Sequence, residues 1–419
     1  MKIYEIFKED KNGKFVDVDW DKLETIPEFA ALHGTLQNTD WHQEGDAYEH
    51  TRKVAENMKA ILERENVTEP DVYQLLMAAA VFHDIGKPVT TYFNEQTQQY
   101  ATEDHATAGA LITRSIFFDE YIIGREELVY MVQNHMKFHY IMSDKPKYVK
   151  KLIKLSYGFV SIKYMLMLNE ADSFGSVSVL ETTEGILRRI NMMRNIAINH
   201  NCLYQPYVFH DYVTARKELN NISCKDEVAV NSFTVHIMCG IPGAGKSTYI
   251  KNDPILCDLP VVSRDIIRYE LGFTKSVDEK AICSWENEAK VSQIIKERIK
   301  NYCKAGQSFV VDNMNLKASY RQDIIKQVIP FGAQIHIIYV EAPSIETCIN
   351  RRNGQIPARE YTRIIKSLSF PMLFECDKLT IFKDYEEGWQ KHVSFYRPLY
   401  ETDQAFSIRT PYKSELLYK

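Results

Sequence analysis

Hydrophobic and polar positions follow different patterns in the two halves of the chain. In the first half, the segment 74–84 is apolar on nearly every face, which predicts a buried central helix. The segment 148–172 has apolar residues at helical spacing and few breakers. The second half alternates helical stretches with short β-rich runs, which are 233–239, 261–262, 308–311, 334–340 and 379–382. This alternation predicts a parallel sheet with crossover helices.

The change of pattern divides the chain into domains. A length of 419 residues allows two or three of them. We predict a multidomain protein in which an all-α domain (1–205) is joined by a linker (206–231) to an α/β domain with a parallel sheet (232–419). The last stretch, 389–419, is aromatic and basic, and we interpret it as a packing extension without chemistry of its own.

Composition narrows the class of protein. The formal net charge of −5 argues against a polycationic nucleic-acid binder, although it allows a local basic groove. There is no run of 18 apolar residues, so no membrane span is expected, and the N-terminus lacks the apolar core of a signal peptide. The eight cysteines include no Cys-x-x-Cys pair, which argues against a zinc ribbon or a disulfide framework. We therefore expect a cytoplasmic protein.

One segment of the second half fits a phosphate-binding loop. Residues 240–247 match G-x-x-x-x-G-K-S/T, with a predicted strand before them and a predicted helix after them. Backbone N–H groups of such a loop surround phosphate oxygens, while Lys246 reaches the β- and γ-phosphates and Ser247 ligates Mg²⁺. We expect ATP or another nucleoside triphosphate, with Mg²⁺, to be held by Gly240, Gly243, Ala244, Gly245, Lys246, Ser247 and Thr248.

Polar residues after the later strands indicate what the nucleotide is used for. Asp265 and Arg268 are three apart at a predicted helix start and so share one face. The carboxylate can accept the proton of an attacking hydroxyl, and the guanidinium can bind an acceptor phosphate. Asp312 and Asn315 end a later strand and are expected to face the same crevice. Arginines in the segment 350–353 could close over the nucleotide phosphates.

These motifs together resemble the 5′-OH polynucleotide kinase family. The similarity lies in GIPGAGKST, SRDIIR, DNMN and RRN…IP, and it covers nearly all of residues 233–382. It implies that Asp265 is the general base for the 5′-hydroxyl, that Arg268 binds the 3′-phosphate of the 5′-terminal nucleotide, and that Arg352 contacts the donor phosphates. The family often has threonine at the position of Met314, so the resemblance says less about this strand end than about Asp265.

The first half carries a set of potential metal ligands. Neighbouring helical residues point about 100° apart, so His83 and Asp84 can meet one metal only near a helix end, which Gly86 and Pro88 supply. One ion could be enclosed by His50, His83, Asp84 and Asp172, and a second by His105 and His135 with Asp84 bridging. Such donors suit one or two divalent ions of the Mn, Fe, Ni, Co or Zn class.

A pair of metals would activate a water and clamp a phosphate, and Lys87 would neutralise phosphate charge. Any one of these histidines alone is more often structural. Their order, H…HDIGK…DHxxxG…NH…AD over about residues 36–172, resembles the HD phosphohydrolase superfamily, most of all the HD domain appended to bacterial tRNA nucleotidyltransferases. The resemblance implies hydrolysis of phosphomonoesters or phosphodiesters, including 2′,3′-cyclic ends. His42 and His139 match no ligand position, and we interpret them as structural.

An HD phosphohydrolase ahead of a polynucleotide kinase resembles the bacterial and phage HD-Pnk end-healing enzymes. This implies RNA or DNA ends as substrate, a separate ligase as partner, and the cytoplasm of a bacterial or phage-infected cell. Two alternatives stay open: an HD nucleotidase fused to a small-molecule or nucleoside kinase, and a regulatory phosphohydrolase gated by nucleotide. The basic stretch 145–151 either follows a nucleic-acid backbone or is a solvated helix face.

Overall fold

The protein was analysed as a computed structural model that describes residues 1–9, 15–222, 233–277, 284–342, 344–384, 390–396 and 413–418. The chain forms two compact units, Met1–Tyr207 and Val208–Lys419. None of the helices in these described ranges is both long and apolar enough to cross a membrane.

The first unit is helical, as predicted. Its helices are α1 Trp20–Leu23, α2 Pro27–Ala30, α3 Ala47–Arg64, α4 Pro70–Phe82, α5 Lys87–Thr90, α6 His105–Ile116, α7 Ile122–His139, α8 Pro146–Leu155, α9 Ile162–Gly175 and α10 Thr183–Asn199. It also contains two antiparallel hairpins that helical spacing does not reveal, β1 Phe7–Glu9 with β2 Phe15–Val18 and β3 Thr91–Asn94 with β4 Gln99–Thr102.

Helix α4 is the predicted central helix of this unit. Every residue from Gln74 to Phe82 is buried, which explains why the sequence is apolar on all faces there. The helix ends at Phe82, earlier than the predicted residue 84, and His83 follows as its C-cap. The predicted helical stretch 148–172 is two helices, α8 and α9, because Ser161 begins α9 as an N-cap that accepts from the Tyr164 N–H.

The second unit is built on a seven-stranded sheet. Its helices are α11 Tyr212–Asn220, α12 Lys246–Asn252, α13 Arg264–Glu270, α14 Trp285–Lys304, α15 Ala318–Val328, α16 Ile345–Arg351 and α17 Ala358–Lys366. Its strands are β5 Thr234–Cys239, β6 Val261–Val262, β7 Phe309–Val311, β8 Gln334–Glu341, β9 Lys378–Asp384, β10 Gln390–Tyr396 and β11 Lys413–Tyr418.

The order of the strands across the sheet is β11-β10-β9-β8-β5-β7-β6. Strands β5 to β9 pair in parallel, which confirms the predicted parallel sheet and its five β-rich runs. Strands β10 and β11 extend it antiparallel. They lie in the stretch interpreted as a packing extension, of which 397–412 is outside the described residues.

Helix α11 lies within the segment that the sequence assigns to a linker. Its Arg216 is buried and forms an ion pair with Asp377 at 2.5 Å, and its Asn220 accepts a hydrogen bond from Gln322 at 3.0 Å. This part of the segment is therefore a packed helix of the second unit. Residues 223–232, the remainder up to β5, are outside the described ranges.

Candidate metal centre and nucleotide site

Four buried side chains from three helical segments meet in the first unit. His50 comes from α3, His83 and Asp84 follow α4, and Asp172 lies on α9. The Nε2 atoms of His50 and His83 are 3.3 Å apart. Asp172 Oδ1 lies 3.1 Å from the Nε2 atom of His50, and Asp84 Oδ2 lies 3.2 Å from that of His83. The four residues that the sequence predicts for one ion therefore face one another.

A second group adjoins the first through Asp84. The other carboxylate oxygen, Oδ1, lies 3.2 Å from His105 Nε2 and 3.7 Å from His135 Nε2. The two imidazole nitrogens of this group are 3.2 Å apart. The oxygens of Asp84 thus face one group each, which is the geometry that a bridging carboxylate requires. We call the six residues His50, His83, Asp84, His105, His135 and Asp172 the HD cluster.

The hydrogen bonds behind the imidazoles indicate that the HD cluster suits a cation. The Nδ1 atoms of His83 and His135 face the Ala80 and Val132 carbonyl oxygens at 2.8 and 2.7 Å. Because a carbonyl only accepts, each Nδ1 carries the proton, and a neutral ring then turns the lone pair of its Nε2 inward. Inward lone pairs beside two carboxylates repel one another unless a positive charge lies between them.

The pKa values of His83 and His135 also indicate that the HD cluster favours positive charge. Burial lowers the pKa of His83, but the carboxylates of Asp84 and Asp172 outweigh it and raise that pKa to about 10. Burial and the neighbouring rings of His105 and His83 lower the pKa of His135 to about 3, so this ring is neutral and able to act as a ligand. The donor set of imidazole and carboxylate therefore fits a divalent transition metal.

Lys87 and Gly86 complete the HDIGK segment. The Lys87 ammonium is buried, lies 2.6 Å from Asp84 Oδ2 and also donates to Gln37. A Cβ atom on Gly86 would lie 2.1 Å from the backbone oxygen of His105. Glycine is therefore required where this turn packs on the start of α6, and that close contact brings His105 to Asp84.

Glu44 is a residue of the metal centre that the sequence does not reveal. Its Oε1 atom lies 2.9 Å from His50 Nδ1 and 2.7 Å from His42 Nδ1, and its Oε2 atom accepts the Val177 N–H at 2.8 Å. Burial raises the pKa of this carboxyl, but the two histidine contacts outweigh it and hold the pKa well below its usual range. Glu44 thus fixes the ring of His50 from behind.

The two histidines interpreted as structural lie against this centre. His42 contacts Glu44, as described above, and His139 Nε2 lies 2.9 Å from Asp172 Oδ2. Each therefore contacts a residue that orients or contains a potential ligand atom. His139 is partly exposed, with 24% of its side chain accessible.

The phosphate-binding loop lies between β5 and α12 in the second unit. Gly243 has a φ of +80° and its hydrogen faces the backbone of Cys348, whose oxygen would be 2.5 Å from an added Cβ atom. Lys246 donates to the backbone oxygens of Gly240 and Ile241 at 3.0 and 3.1 Å. The Ser247 hydroxyl donates to Asp312 Oδ2 at 2.9 Å, which places a second oxygen donor beside the predicted Mg²⁺ ligand Ser247.

The strand end at Asp312 is tied to the loop by buried hydrogen bonds. Asn315 is buried and its amide donates to the Met238 backbone oxygen at 2.8 Å, while the Gly240 N–H donates to the Met314 backbone oxygen at 3.0 Å. Arg321 Nη1 donates to the backbone oxygen of Asn315 at 3.0 Å. Asp312 and Asn315 both line the crevice, as predicted, but the Asn315 amide bonds the backbone of β5.

Asp265 and Arg268 face each other at the start of α13. Arg268 Nη1 donates to Asp265 Oδ1 at 2.7 Å, while its Nε and Nη2 atoms donate to the two oxygens of Glu288 at 2.8 and 3.0 Å. Arg264 also donates to Glu288, at 2.9 Å. The hydrogen bonds from these arginines, that of Arg268 first, lower the pKa of Glu288 to about 2. No sequence motif marks Glu288, which reaches this site from α14.

These residues line one crevice of about 1690 Å³. Its walls include Lys246, Ser247, Asp265, Arg268, Asp312 and Arg352. Arg352 caps the end of α16, and its neighbour Arg351 contacts the Gly243 backbone oxygen at 3.4 Å. The sequence-predicted groups for donor and acceptor therefore share a single cavity.

Comparison with known families matches an HD domain over residues 47–162 and an AAA domain over residues 235–363. No curated protein matches the chain. Among solved structures, one titled "Crystal structure of APE1195" is 21% identical and covers 35% of this chain and 81% of its own, with a TM-score of 0.23. A likeness of that size carries no argument about fold or function. The two family matches confirm the predicted order of a metal-dependent hydrolase-type domain and a P-loop domain.

Proposed function

We propose that this chain, which carries an HD domain followed by a P-loop kinase-like domain, heals both ends of a broken RNA or DNA strand. The HD domain would remove a 2′,3′-cyclic, 2′- or 3′-phosphate, and the P-loop domain would phosphorylate the 5′-hydroxyl. The products, a 3′-hydroxyl and a 5′-phosphate, are the ends that a separate ligase joins. The observation that carries the proposal is the pair Asp265 and Arg268 in the crevice of Lys246.

In the kinase reaction, the Asp265 carboxylate would accept the proton of the 5′-hydroxyl as its oxygen attacks the γ-phosphorus. The contacts of Arg268 with Asp265 and Glu288 use three of its five N–H groups, which leaves two for an acceptor phosphate. Lys246 would exchange its backbone partners for the β- and γ-phosphate oxygens of ATP. Ser247 and Asp312 would hold Mg²⁺, and Arg352 would contact the donor phosphates.

In the phosphohydrolase reaction, His50, His83 and Asp172 would hold one metal ion and His105 and His135 the other, with Asp84 between them. Divalent ions supply the Lewis acidity that draws negative charge from a phosphate. Glu44 would keep the His50 lone pair directed inward, and Lys87 would stabilise charge on the phosphate.

The deciding experiment uses one RNA with a 5′-hydroxyl and a 2′,3′-cyclic phosphate, incubated with ATP and Mn²⁺. Both ends are read separately, by transfer of labelled phosphate and by release of the 3′ phosphate. We expect both reactions in the wild-type protein. A protein that hydrolyses and phosphorylates free nucleotides but leaves both RNA ends unchanged would refute end healing.

A nucleoside kinase is the second candidate for the P-loop domain. The bidentate contact of Glu288 with Arg268 favours it, because a guanidinium whose charge is already balanced by carboxylates binds an acceptor phosphate less strongly. Comparing a nucleoside with its 3′-monophosphate as phosphoryl acceptor separates the two. If the domain is an end-healing kinase, we expect a much lower KM for the 3′-monophosphate than for the nucleoside. Equal KM values would favour the nucleoside kinase.

A further inference from the structure

A basic segment of the first unit lies beside the HD cluster and takes no part in it. Residues 137–154 contain six lysines and one carboxylate, Asp144, whereas the whole chain has a formal net charge of −5. The segment covers the end of α7, the following loop and helix α8. A concentration of positive charge on an otherwise acidic protein attracts a polyanion.

Helix α8 directs its apolar side inward. Leu152 and Leu155 are buried, and the Tyr130 hydroxyl donates to the Leu155 backbone oxygen at 2.8 Å, which fixes the end of the helix to the unit. At its beginning, Lys145 and Lys147 are exposed. A helix whose leucines are already packed has little apolar surface to insert into a lipid bilayer, so the lysines favour a water-borne polyanion over a membrane.

Two aromatic rings accompany these lysines, one of them exposed and the other half-buried. Tyr140 is 60% exposed, and Lys151 Nζ lies 5.4 Å from the centre of its ring. Lys147 Nζ lies 4.7 Å from the ring of Tyr148 in the same way. Aromatic faces that stack bases, next to cations that neutralise phosphates, are the combination by which proteins bind single-stranded nucleic acids.

The exposed ring is also directly connected to the metal centre. Tyr140 follows His139, whose Nε2 lies 2.9 Å from Asp172 Oδ2. The other oxygen of Asp172 is the one that lies 3.1 Å from His50 in the HD cluster. His139 is partly exposed, so a strand whose terminal phosphate entered the cluster on this side would pass close to Tyr140 and to α8, which is about 15 Å long.

We propose that Tyr140, Lys147 and Lys151 form a binding track for the single strand whose 3′-phosphorylated end enters the HD cluster. The inference rests on the proposed function, because it names the surface that would hold the same substrate. The terminal phosphate is bound by the cluster. The base of a neighbouring nucleotide stacks on Tyr140, and the lysines bind phosphates farther from the end.

The test compares a long and a short substrate with the same reactive end. A nucleoside 2′,3′-cyclic phosphate is too short to reach α8, whereas a ten-nucleotide RNA with that end can cover it. For Tyr140→Ala we expect the KM of the long substrate to rise roughly 5- to 160-fold, the range that corresponds to loss of the stacking partner of one base. Its kcat, and both constants for the short substrate, should stay unchanged.

The lysines are tested by charge reversal. Lys147→Glu, for which we expect the slope of log affinity against log salt to fall by about 0.7, is compared with Lys59→Glu, a single reversal on α3 at a lysine that lies 3.6 Å from Asp17. Binding of a fluorescent, 5′-phosphorylated oligonucleotide is followed by polarisation at several salt concentrations. In Lys147→Glu/Lys151→Glu the slope of log affinity against log salt should fall by about 1.4, as expected for two lost phosphate contacts on a single strand. Lys59→Glu should leave affinity and slope unchanged.

Three results would overturn the track. The first is an unchanged KM for the long RNA in Tyr140→Ala and in the double lysine variant. The second is an equal loss on both substrates, which would place these residues in the reaction or the fold. The third is that these variants lose binding to vesicles of anionic lipid but bind the oligonucleotide like the wild-type protein. If the wild-type protein hydrolyses neither substrate, the proposed function has failed, and the polarisation measurement alone decides whether the track exists.

Discussion

The two sites hold their reactive groups in opposite ways. The HD cluster is buried, and neighbouring nitrogens and oxygens in it lie between 3.1 and 3.7 Å apart. The P-loop crevice is open to a large cavity, and its cations are paired with protein groups, Lys246 with backbone oxygens and Arg268 with Glu288. A small ion needs ligand atoms that are already in position. A nucleotide, by contrast, must displace the protein groups that pair with these cations, and it can rearrange the side chains that it contacts.

The HD cluster and the P-loop crevice also differ in how their charges are balanced. In the HD cluster, imidazole lone pairs and two carboxylates converge, and the ammonium of Lys87 is the cation that lies beside Asp84. In the crevice, the carboxylates Asp265 and Glu288 already face arginines. We therefore expect the first site to depend on a bound metal for its structure, and the second to keep its arrangement without ligand.

The largest effect expected from this comparison is at Asp84, which is shared by both halves of the HD cluster. In Asp84→Ala we expect hydrolysis of a 2′,3′-cyclic phosphate to fall to background and the bound metal, measured by elemental analysis, to drop at both sites. Transfer of phosphate to a 5′-hydroxyl should be retained. Asp71→Ala, at an exposed aspartate near the start of α4, is the control. Loss of both reactions in Asp84→Ala would mean that the two sites are not independent.

The second effect is at Asp265, which should act on the kinase reaction alone. In Asp265→Asn we expect kcat for 5′-phosphorylation to fall by about 10²- to 10⁴-fold, because the amide cannot accept the proton. The KM for ATP should change little, since Lys246 and the loop glycines are intact. Asp323→Asn, an exposed aspartate that lines the same crevice, is the matched control. Undiminished kcat in Asp265→Asn would assign the base elsewhere.

The same comparison explains what could be predicted from sequence. The phosphate-binding loop and HDIGK are contiguous because one turn must supply several groups, and contiguity makes them visible. The five parallel strands are visible because buried strands are short runs of apolar residues. By contrast, Glu44 and Glu288 reach their sites from other elements, one at a time, and a single carboxylate in a polar segment has no signature.

Boundaries and edge elements escaped prediction for a related reason. The two hairpins of the first unit are strands of three or four residues, too short to establish an alternating pattern. Helices α8 and α9 show one continuous helical period in the sequence because both bury apolar residues in the same unit, although residues 156–161 between them are not helical. His139 contacts Asp172 through folding, since the two are 33 residues apart.

A third effect, of intermediate size, is expected at Glu44. In Glu44→Gln we expect metal affinity to weaken by about 10- to 100-fold, as is typical when the partner of a ligand histidine is lost. Titration with Mn²⁺ followed by calorimetry measures this without relying on activity. Glu49→Gln, an exposed residue on the same helix as His50, should bind metal like the wild type. Equal affinity in Glu44→Gln would show that His50 is held by packing alone.

The smallest effect on function concerns the core of the second unit, where His236 of β5 lies opposite His336 of β8 with their Nδ1 atoms 2.9 Å apart. Burial lowers the pKa of His236 to about 4, from an ordinary 6.5. As the pH falls below 6.5, the unfolded chain therefore takes up a proton at this histidine while the folded chain does not. The contribution of the neutral His236 ring to the free energy of unfolding is therefore fully present above pH 6.5 and is lost between pH 6.5 and about 4.

Replacing the ring tests this directly. In His236→Gln we expect the free energy of unfolding, measured in urea between pH 7 and 5, to fall less steeply than in the wild type, by at most about 1.4 kcal/mol per pH unit for one proton. His210→Gln, at a largely exposed histidine of the same unit, should leave the slope unchanged. Both reactions at pH 7.5 should be unaffected, since His236 is outside the HD cluster and is not among the residues lining the crevice. A slope equal to that of the wild type would mean that the buried pair takes up its proton in the folded state.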